Sequence, residues 1–161
     1  MTGQQAEQAQ RQMEQRAAEE GLTFRMDGLR SGNTRDAHRL LHLAKARGTQ
    51  PELAERLHRA HFTEQDSIFD PDALTRLAVE AGLDPDEVAT VLAGDFYGAD
   101  VDTDEAMARA LGANGVPFFV IDRRYGISGA QPAEVITEVL DKAWVEARAA
   151  QSGRELAGGI S

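Results

Sequence analysis

The side chains that most often carry redox or nucleophilic chemistry are scarce in this sequence. None of the 161 residues is a cysteine, so these residues can supply no disulfide, no thiolate nucleophile and no cysteine metal ligand. Ser128 has no histidine in a recognisable triad relation to it, which makes serine-hydrolase chemistry a poor fit. We therefore assign no catalytic residue.

The four histidines form two pairs at helical spacing. His38 and His42 are four residues apart, and His58 and His61 are three apart, spacings that could suit zinc. No HExxH pattern accompanies either pair, and solvated or capping histidines are far more common. The acidic run 100–105 lacks the glycine and spacing of a calcium loop. The sequence predicts no metal site.

A proline at the head of an apolar run is the most informative local feature. Val116-Pro117 is followed by Phe118-Phe119-Val120-Ile121, and proline is normally excluded from buried strands because it cannot donate to the ladder. Either Pro117 is simply the first residue of the strand, or the Val116–Pro117 bond is cis, as in about 5% of such bonds. The residues alone leave both interpretations open.

The elements around these residues are mostly helices. Helical spacing predicts a helix between Thr2 and Gly21, and a series of short helices runs from Asn33 to about Leu111. Asp70-Pro71 and Asp84-Pro85 each place a capping residue before a proline, which is typical of helix starts.

Three segments have the texture of strands. Alternation over 22–26 predicts a short strand with one buried face, and 116–121 reads as a strand covered on both faces. Residues 125–128 form a plausible hairpin partner. A final helix would bury Val135, Ile136, Val139, Leu140 and Ala143, and the tail 151–161 is expected to be disordered.

Charge limits the classes of partner. The formal net charge is -10, which repels nucleic acid and anionic membrane surfaces alike. No apolar run approaches the length of a membrane span, and residues 1–20 are too polar for a signal peptide. These features predict a cytoplasmic protein with neither a nucleic-acid nor a membrane partner.

The order of motifs resembles a known family. Gly115-Val116-Pro117-Phe118-Phe119-Val120-Ile121-Asp122, a hairpin, Ser128-Gly129-Ala130-Gln131-Pro132 and a closing helix look like the C-terminal half of a DsbA-type thioredoxin-like domain. Asn33-Thr34-Arg35-Asp36-Ala37-His38-Arg39-Leu40-Leu41 is similar to the FrnE-like branch of DsbA proteins.

This resemblance implies a helix-rich α/β fold, a partial thioredoxin-like fold with an inserted α-helical subdomain. It divides the chain into an N-terminal helix and strand (1–32), the inserted helical subdomain (33–96), the C-terminal half of the thioredoxin-like domain (97–150) and the tail. It also favours the cis interpretation of Val116–Pro117.

The resemblance assigns substrate binding to Val116 and Pro117, since the family's cis-proline loop lies against the redox site and offers backbone groups to an extended substrate. Asn33, Thr34 and His38 are possible cleft residues. Extended peptides or small thiols are the implied substrates, with no cofactor. The implied class is thiol-disulfide oxidoreductase or isomerase.

The chain departs from the family in one large respect. Family members begin with a strand, a helix carrying a Cys-Pro-Trp-Cys-like pair and a second strand, and no such segment precedes Met1. We therefore expect a truncated chain that retains the substrate side and is inactive alone. The strand 116–121 would then have an open edge and could self-associate.

Two alternatives stay open. One is a glutathione-dependent isomerase of the kappa class, similar to hydroxychromene-carboxylate isomerases, although its Gly-x-Asp-Arg-like segment is replaced here by residues 128–132. The other is a non-enzymatic module that binds peptides without turnover.

Overall fold

The computed structural model describes residues 3–158, with side chains described for residues 4–151. The described helices are α1 (Gly3–Glu19), α2 (Arg35–Arg47), α3 (Gln50–His58), α4 (Pro71–Glu80), α5 (Pro85–Ala93), α6 (Gly98–Ala110) and α7 (Ala133–Gly158). A π-helical turn, Arg59–Glu64, follows α3, and β1 (Phe118–Ile121) and β2 (Tyr125–Ser128) complete the order. The predicted helix-rich α/β class is confirmed. No described helix has both the length and the apolarity needed to cross a membrane.

The chain divides into two compact units, Met1–Asp102 and Thr103–Ser161. We call the described part of the first the helical unit (3–102) and that of the second the hairpin unit (103–158). The division falls within α6, whereas the sequence placed a boundary between 96 and 97. The start of α6 belongs to the helical unit because Arg35 pairs with Asp102 at 2.6 Å and donates to the Gly98 carbonyl at 3.1 Å.

The helical unit has a continuous apolar core. Its buried members come from α2 to α5 and the turns between them: Ala37, Leu40, Leu43, Ala44, Leu53, Leu57, Ala60, Leu74, Leu77, Ala78, Leu83, Val88 and Val91. The Asp-Pro starts form as predicted, since the carboxylates of Asp70 and Asp84 each accept two backbone N–H groups of the first helical turn. Local capping therefore fixes where α4 and α5 begin.

One cation is buried beside this core. Arg39 is 5% exposed, and its guanidinium donates to the carbonyls of Val91, Gly94 and Phe96. It also pairs with Asp36 at 2.8 Å. Arg39 thus satisfies the carbonyls at the end of α5, which no further helical turn reaches.

The predicted strand at 22–26 is wrong, because these residues have no regular secondary structure and belong to no sheet. They lie along the π-helical turn instead: the Arg25 N–H donates to the Phe62 carbonyl at 2.7 Å, and Thr63 donates to the Thr23 carbonyl at 2.8 Å. Phe24 stacks on Phe62 with ring centroids 4.8 Å apart. The apolar alternation of this segment therefore places Phe24 against Phe62 and does not form the backbone hydrogen bonds of a sheet.

The hairpin unit is a two-stranded antiparallel sheet with α7 packed on it. The register pairs Phe118 with Ser128 and Ile121 with Tyr125. In the described part of this unit, the buried apolar side chains are Ile127 and Ala143.

Two expectations about burial in this unit are wrong. Strand β1 is not covered on both faces, since Phe119 is exposed and its neighbours are half-buried. On α7, Val135 and Leu140 are exposed rather than buried. Both departures have one physical reason, which is that the described residues supply only one layer against the sheet.

The expected disorder after residue 150 also differs from the structure. Helix α7 continues to Gly158, because the sequence after Ala150 contains good helix formers and one interior glycine costs only about 1 kcal/mol. Residues 159–161 of the expected tail lie outside the described residues.

Candidate functional site

The loop before β1 presents Val116 to solvent. Val116 is 95% exposed, and the Val116–Pro117 peptide bond is cis. The Pro117 carbonyl accepts a hydrogen bond of 2.9 Å from the Gly129 N–H. This hydrogen bond attaches the loop to the end of β2, next to the exposed Val116.

An apolar groove of about 380 Å³ lies beside this loop. The last turn of α6 contributes Met107 and Ala108, the turn after it contributes Leu111, and β1 contributes Phe118 and Val120. Asp104 is the charged side chain among the lining residues. The groove therefore suits an apolar or neutral segment better than an ion.

Strand β1 has a second edge beyond the one paired with β2. In the described chain the sheet has two strands, and no other described strand pairs with β1. An unpaired edge presents backbone N–H and C=O groups that can bind an extended segment. Because Val116 and Pro117 lie at the start of this edge, such a segment would meet them first.

The opposite end of the hairpin is polar. The Tyr125 hydroxyl donates to the Glu146 carboxylate at 2.6 Å, and Arg124 pairs with the same carboxylate at 2.9 Å. The hydrogen bond from Tyr125 is the main cause that lowers the pKa of Glu146. This cluster ties β2 to α7 and leaves the Val116 end as the apolar one.

The predicted cleft residues Asn33, Thr34 and His38 lie in the helical unit. Thr34 and His38 both line a cavity of about 470 Å³, whereas Asn33 is absent from its lining. The Asn33 side-chain oxygen instead accepts the Arg35 N–H at 2.9 Å, at the start of α2. The structure thus brings two of the three residues to one cavity, whereas the third hydrogen-bonds the first residue of α2.

Three of the four histidines line this cavity, so the two pairs seen in the sequence are not two separate sites. His58 and His61 join His38 at the cavity, while His42 stacks on Tyr97 with ring centroids 6.3 Å apart. Within the described residues, no group of three or more histidine, aspartate or glutamate side chains is arranged to hold a metal ion.

Three further lining residues were not predicted from the sequence as site residues: Gly32, Phe62 and Phe69. They come from separate segments and meet only in the folded chain. Gly32 lies under the Phe69 ring, since a Cβ at this position would be 2.5 Å from Phe69 Cγ. A glycine before a predicted helix start was visible in the sequence, but its aromatic partner was not.

Comparison with known proteins agrees with this architecture. The chain matches the family model described as DSBA-like thioredoxin domain over residues 2–141. It is similar to the crystal structure of a probable DsbA oxidoreductase from Streptomyces coelicolor, with 49% identity and a TM-score of 0.86. That match covers 91% of this chain and 63% of the Streptomyces chain, so this chain spans less than two thirds of the solved protein. No functionally curated protein matches. The family match extends over most of the sequence, and the chain therefore belongs to the DsbA-like thioredoxin-domain family.

Proposed function

We propose that this chain forms the substrate-binding side of a DsbA-type thiol-disulfide oxidoreductase or isomerase of the FrnE-like branch, with Val116 and Pro117 as the residues that meet the substrate. The observation that carries the proposal is the fully exposed Val116, held beside an apolar groove at the start of an unpaired strand edge. Strand addition to such an edge recognises backbone with little sequence preference. This suits an enzyme that acts on many unfolded substrates.

The thiol must come from other polypeptide. Thiol-disulfide exchange begins with a thiolate attacking a disulfide sulfur, and the 161 residues contain no cysteine. A strand-helix-strand segment carrying a Cys-x-x-Cys pair, placed next to β1, would supply it. The present residues would then bind an extended peptide or small thiol and orient its sulfur toward that pair.

A fusion tests this proposal. Joining a family-like strand-helix-strand segment with its Cys-x-x-Cys ahead of Met1 is expected to give insulin reduction above the dithiothreitol background, while the present chain alone gives none. In the fusion, Val116→Glu places a carboxylate in the loop and is expected to reduce the rate about tenfold, equivalent to roughly 1.4 kcal/mol.

Val79→Glu is the matched control, because Val79 is an exposed valine on α4 of the helical unit. It is expected to leave the rate unchanged. A fusion that folds and stays inert, or equal effects of the two substitutions, would count against the assignment of Val116.

Self-association is a second expected property of the same edge. An uncharged strand edge next to exposed Phe119 is a template for a second copy of the chain. We expect the isolated chain to form dimers or larger species, or to bind the dye ANS, at neutral pH. Light scattering on a size-exclusion column measures this, and a compact, ANS-silent monomer would instead favour a peptide-binding module that is complete by itself.

A further inference from the structure

The cavity of the helical unit has a composition unlike the rest of the chain. It measures about 470 Å³, within the range of small-molecule sites. Most of its wall is apolar, from α2, α3 and the segment before α4, and includes Leu41, Leu57 and Ile68. The polar residues of the lining include Arg30, Ser31 and Thr34, which are close together in the chain just before α2.

The charge of the lining is opposite to that of the protein. The chain has 27 acidic residues against 17 basic ones, yet the described lining contains one arginine, three histidines and no carboxylate. Arg30 keeps its charge at any physiological pH. The cavity therefore favours an anion in a chain that otherwise repels anions.

The inner wall is aromatic. The His61 ring meets Phe62 edge-on at 4.8 Å and Phe69 edge-on at 5.9 Å between centroids. His58 lies 6.2 Å from Phe62. Burial, together with the charge of His58, lowers the pKa of His61, so at neutral pH its ring is a neutral aromatic group that can also form a hydrogen bond. These rings suit a planar ligand, which can stack or pack edge-on against them.

The wall is built before any ligand arrives. His61 and Phe62 lie in the π-helical turn Arg59–Glu64, an element that frequently occurs at functional sites. The Phe62 carbonyl is held by the Arg25 N–H, and Phe69 is seated over Gly32. A preformed wall loses little conformational entropy on binding.

We propose that this cavity binds a small aromatic anion, one or two rings bearing a single carboxylate or sulfonate. The ring lies against Phe62, Phe69 and His61, and the anionic group faces Arg30.

Every residue that lines this cavity belongs to the helical unit, whereas Val116 belongs to the hairpin unit. Two of the lining residues, Thr34 and His38, are those expected at a cleft, so the aromatic anion is proposed for that cleft, and its test does not depend on thiol exchange.

The test uses three probes of similar size: 1-naphthoate, the uncharged 1-naphthalenemethanol and the aliphatic anion octanoate. Binding to the full chain is followed by amide chemical shifts in NMR titrations. We expect 1-naphthoate to saturate with a dissociation constant of about 1 mM or tighter, with shifts concentrated at residues lining the cavity. The other two probes should each bind at least about threefold more weakly.

Two arginine variants separate local from long-range charge. Arg30→Gln is expected to weaken 1-naphthoate binding about threefold to fivefold, the range of an exposed charge pair. Arg25→Gln removes the same charge from a nearby exposed residue that does not line the cavity, and should change affinity less than about twofold.

Gly32→Ala examines the aromatic wall separately. The added Cβ forces the Phe69 ring to move, so affinity for both aromatic probes should fall while the preference for the anion persists. The proposal is overturned if 1-naphthoate gives no saturable shifts at the cavity, if octanoate or the alcohol binds as tightly, or if Arg30→Gln and Arg25→Gln have equal effects.

Discussion

The helical unit and the hairpin unit differ most in what they bury. In the helical unit, leucines and valines from four helices form a continuous core, and Leu40, Leu53, Leu74 and Leu77 have no exposed surface. In the hairpin unit, Trp144 is 64% exposed and Leu140 is 49% exposed. Isolated apolar residues at a surface are ordinary, but a contiguous set of large ones marks an interaction surface. The two units thus differ in how much of their apolar surface they bury themselves, and the exposed residues of the hairpin unit are consistent with the proposed edge of β1.

The largest expected effect is on the helical unit's buried cation. Arg39→Met leaves the carbonyls of Val91, Gly94 and Phe96 without their donor, and we expect a loss of about 3 to 5 kcal/mol in the free energy of unfolding. Arg47→Met, on the same helix, removes an exposed arginine paired with Glu87 and should cost less than about 1 kcal/mol. Urea denaturation followed by circular dichroism measures both. Similar losses for the two variants would mean that Arg39 does not hold the end of α5.

A pair of leucine truncations compares the two units directly. Leu77→Ala opens a cavity in the helical core and should cost about 2 to 5 kcal/mol, whereas Leu140→Ala on α7 removes an exposed side chain and should change stability by less than about 0.5 kcal/mol. Native-state hydrogen exchange resolves the effect in each unit. A large loss from Leu140→Ala would show that the isolated chain buries this face in some other way.

Acid should weaken the helical unit in a defined range. Hydrogen bonding from Arg56 and then Arg76 lowers the pKa of Glu80, and hydrogen bonding from Arg47 lowers the pKa of Glu87. A carboxyl with a lowered folded-state pKa stabilises the fold fully above its unfolded pKa, about 4.5 for glutamate, and this contribution is lost as the pH falls further. We expect the contribution of these two carboxyls to thermal stability to be constant from pH 7 to about pH 5 and to decline below it.

The variant Glu80→Gln should show a smaller decline than the parent chain, while Glu52→Gln on α3 serves as a charge-matched control. The effect is expected to be modest because both carboxylates are solvent-accessible. An identical loss of thermal stability on acidification in all three proteins would show that the Glu80 ion pairs do not contribute to stability.

The elements that the sequence predicted well are those with local signals. Asp70-Pro71 and Asp84-Pro85 begin helices because the cap and the proline act within one turn. Residues Thr49-Gln50-Pro51-Glu52 have the sequence pattern of a capping box, but the Thr49 hydroxyl makes no cap hydrogen bond and is buried without a hydrogen-bond partner. Whether a hydroxyl caps a helix depends on the residues that pack over it, and these cannot be read from the local sequence.

The candidate site depends more on contacts between distant residues. Thr34 and His38 line the cavity, and their assignment to a substrate cleft by resemblance stays a prediction. Phe69 and Gly32 were not expected there, because 36 residues of intervening chain separate them and only the packing of α2, α3 and α4 brings them into contact. The alternation at 22–26 suggested a strand, but in the folded chain Phe24 stacks on Phe62 and these residues join no sheet. That aromatic contact is with a residue distant in the sequence, so the local pattern could not show it.

The central claim is that the unpaired edge of β1, beginning at Val116, is where a thiol-bearing segment joins this chain. Hydrogen exchange of the β1 amides, compared between the chain alone and its fusion to a strand-helix-strand segment with Cys-x-x-Cys, tests it most directly. We predict rapid exchange in the chain alone of those amides in 118–121 that point away from β2, and marked protection of the same amides in the fusion, with the core amides of α2 and α4 unchanged. Equal protection of β1 in both proteins would contradict the claim.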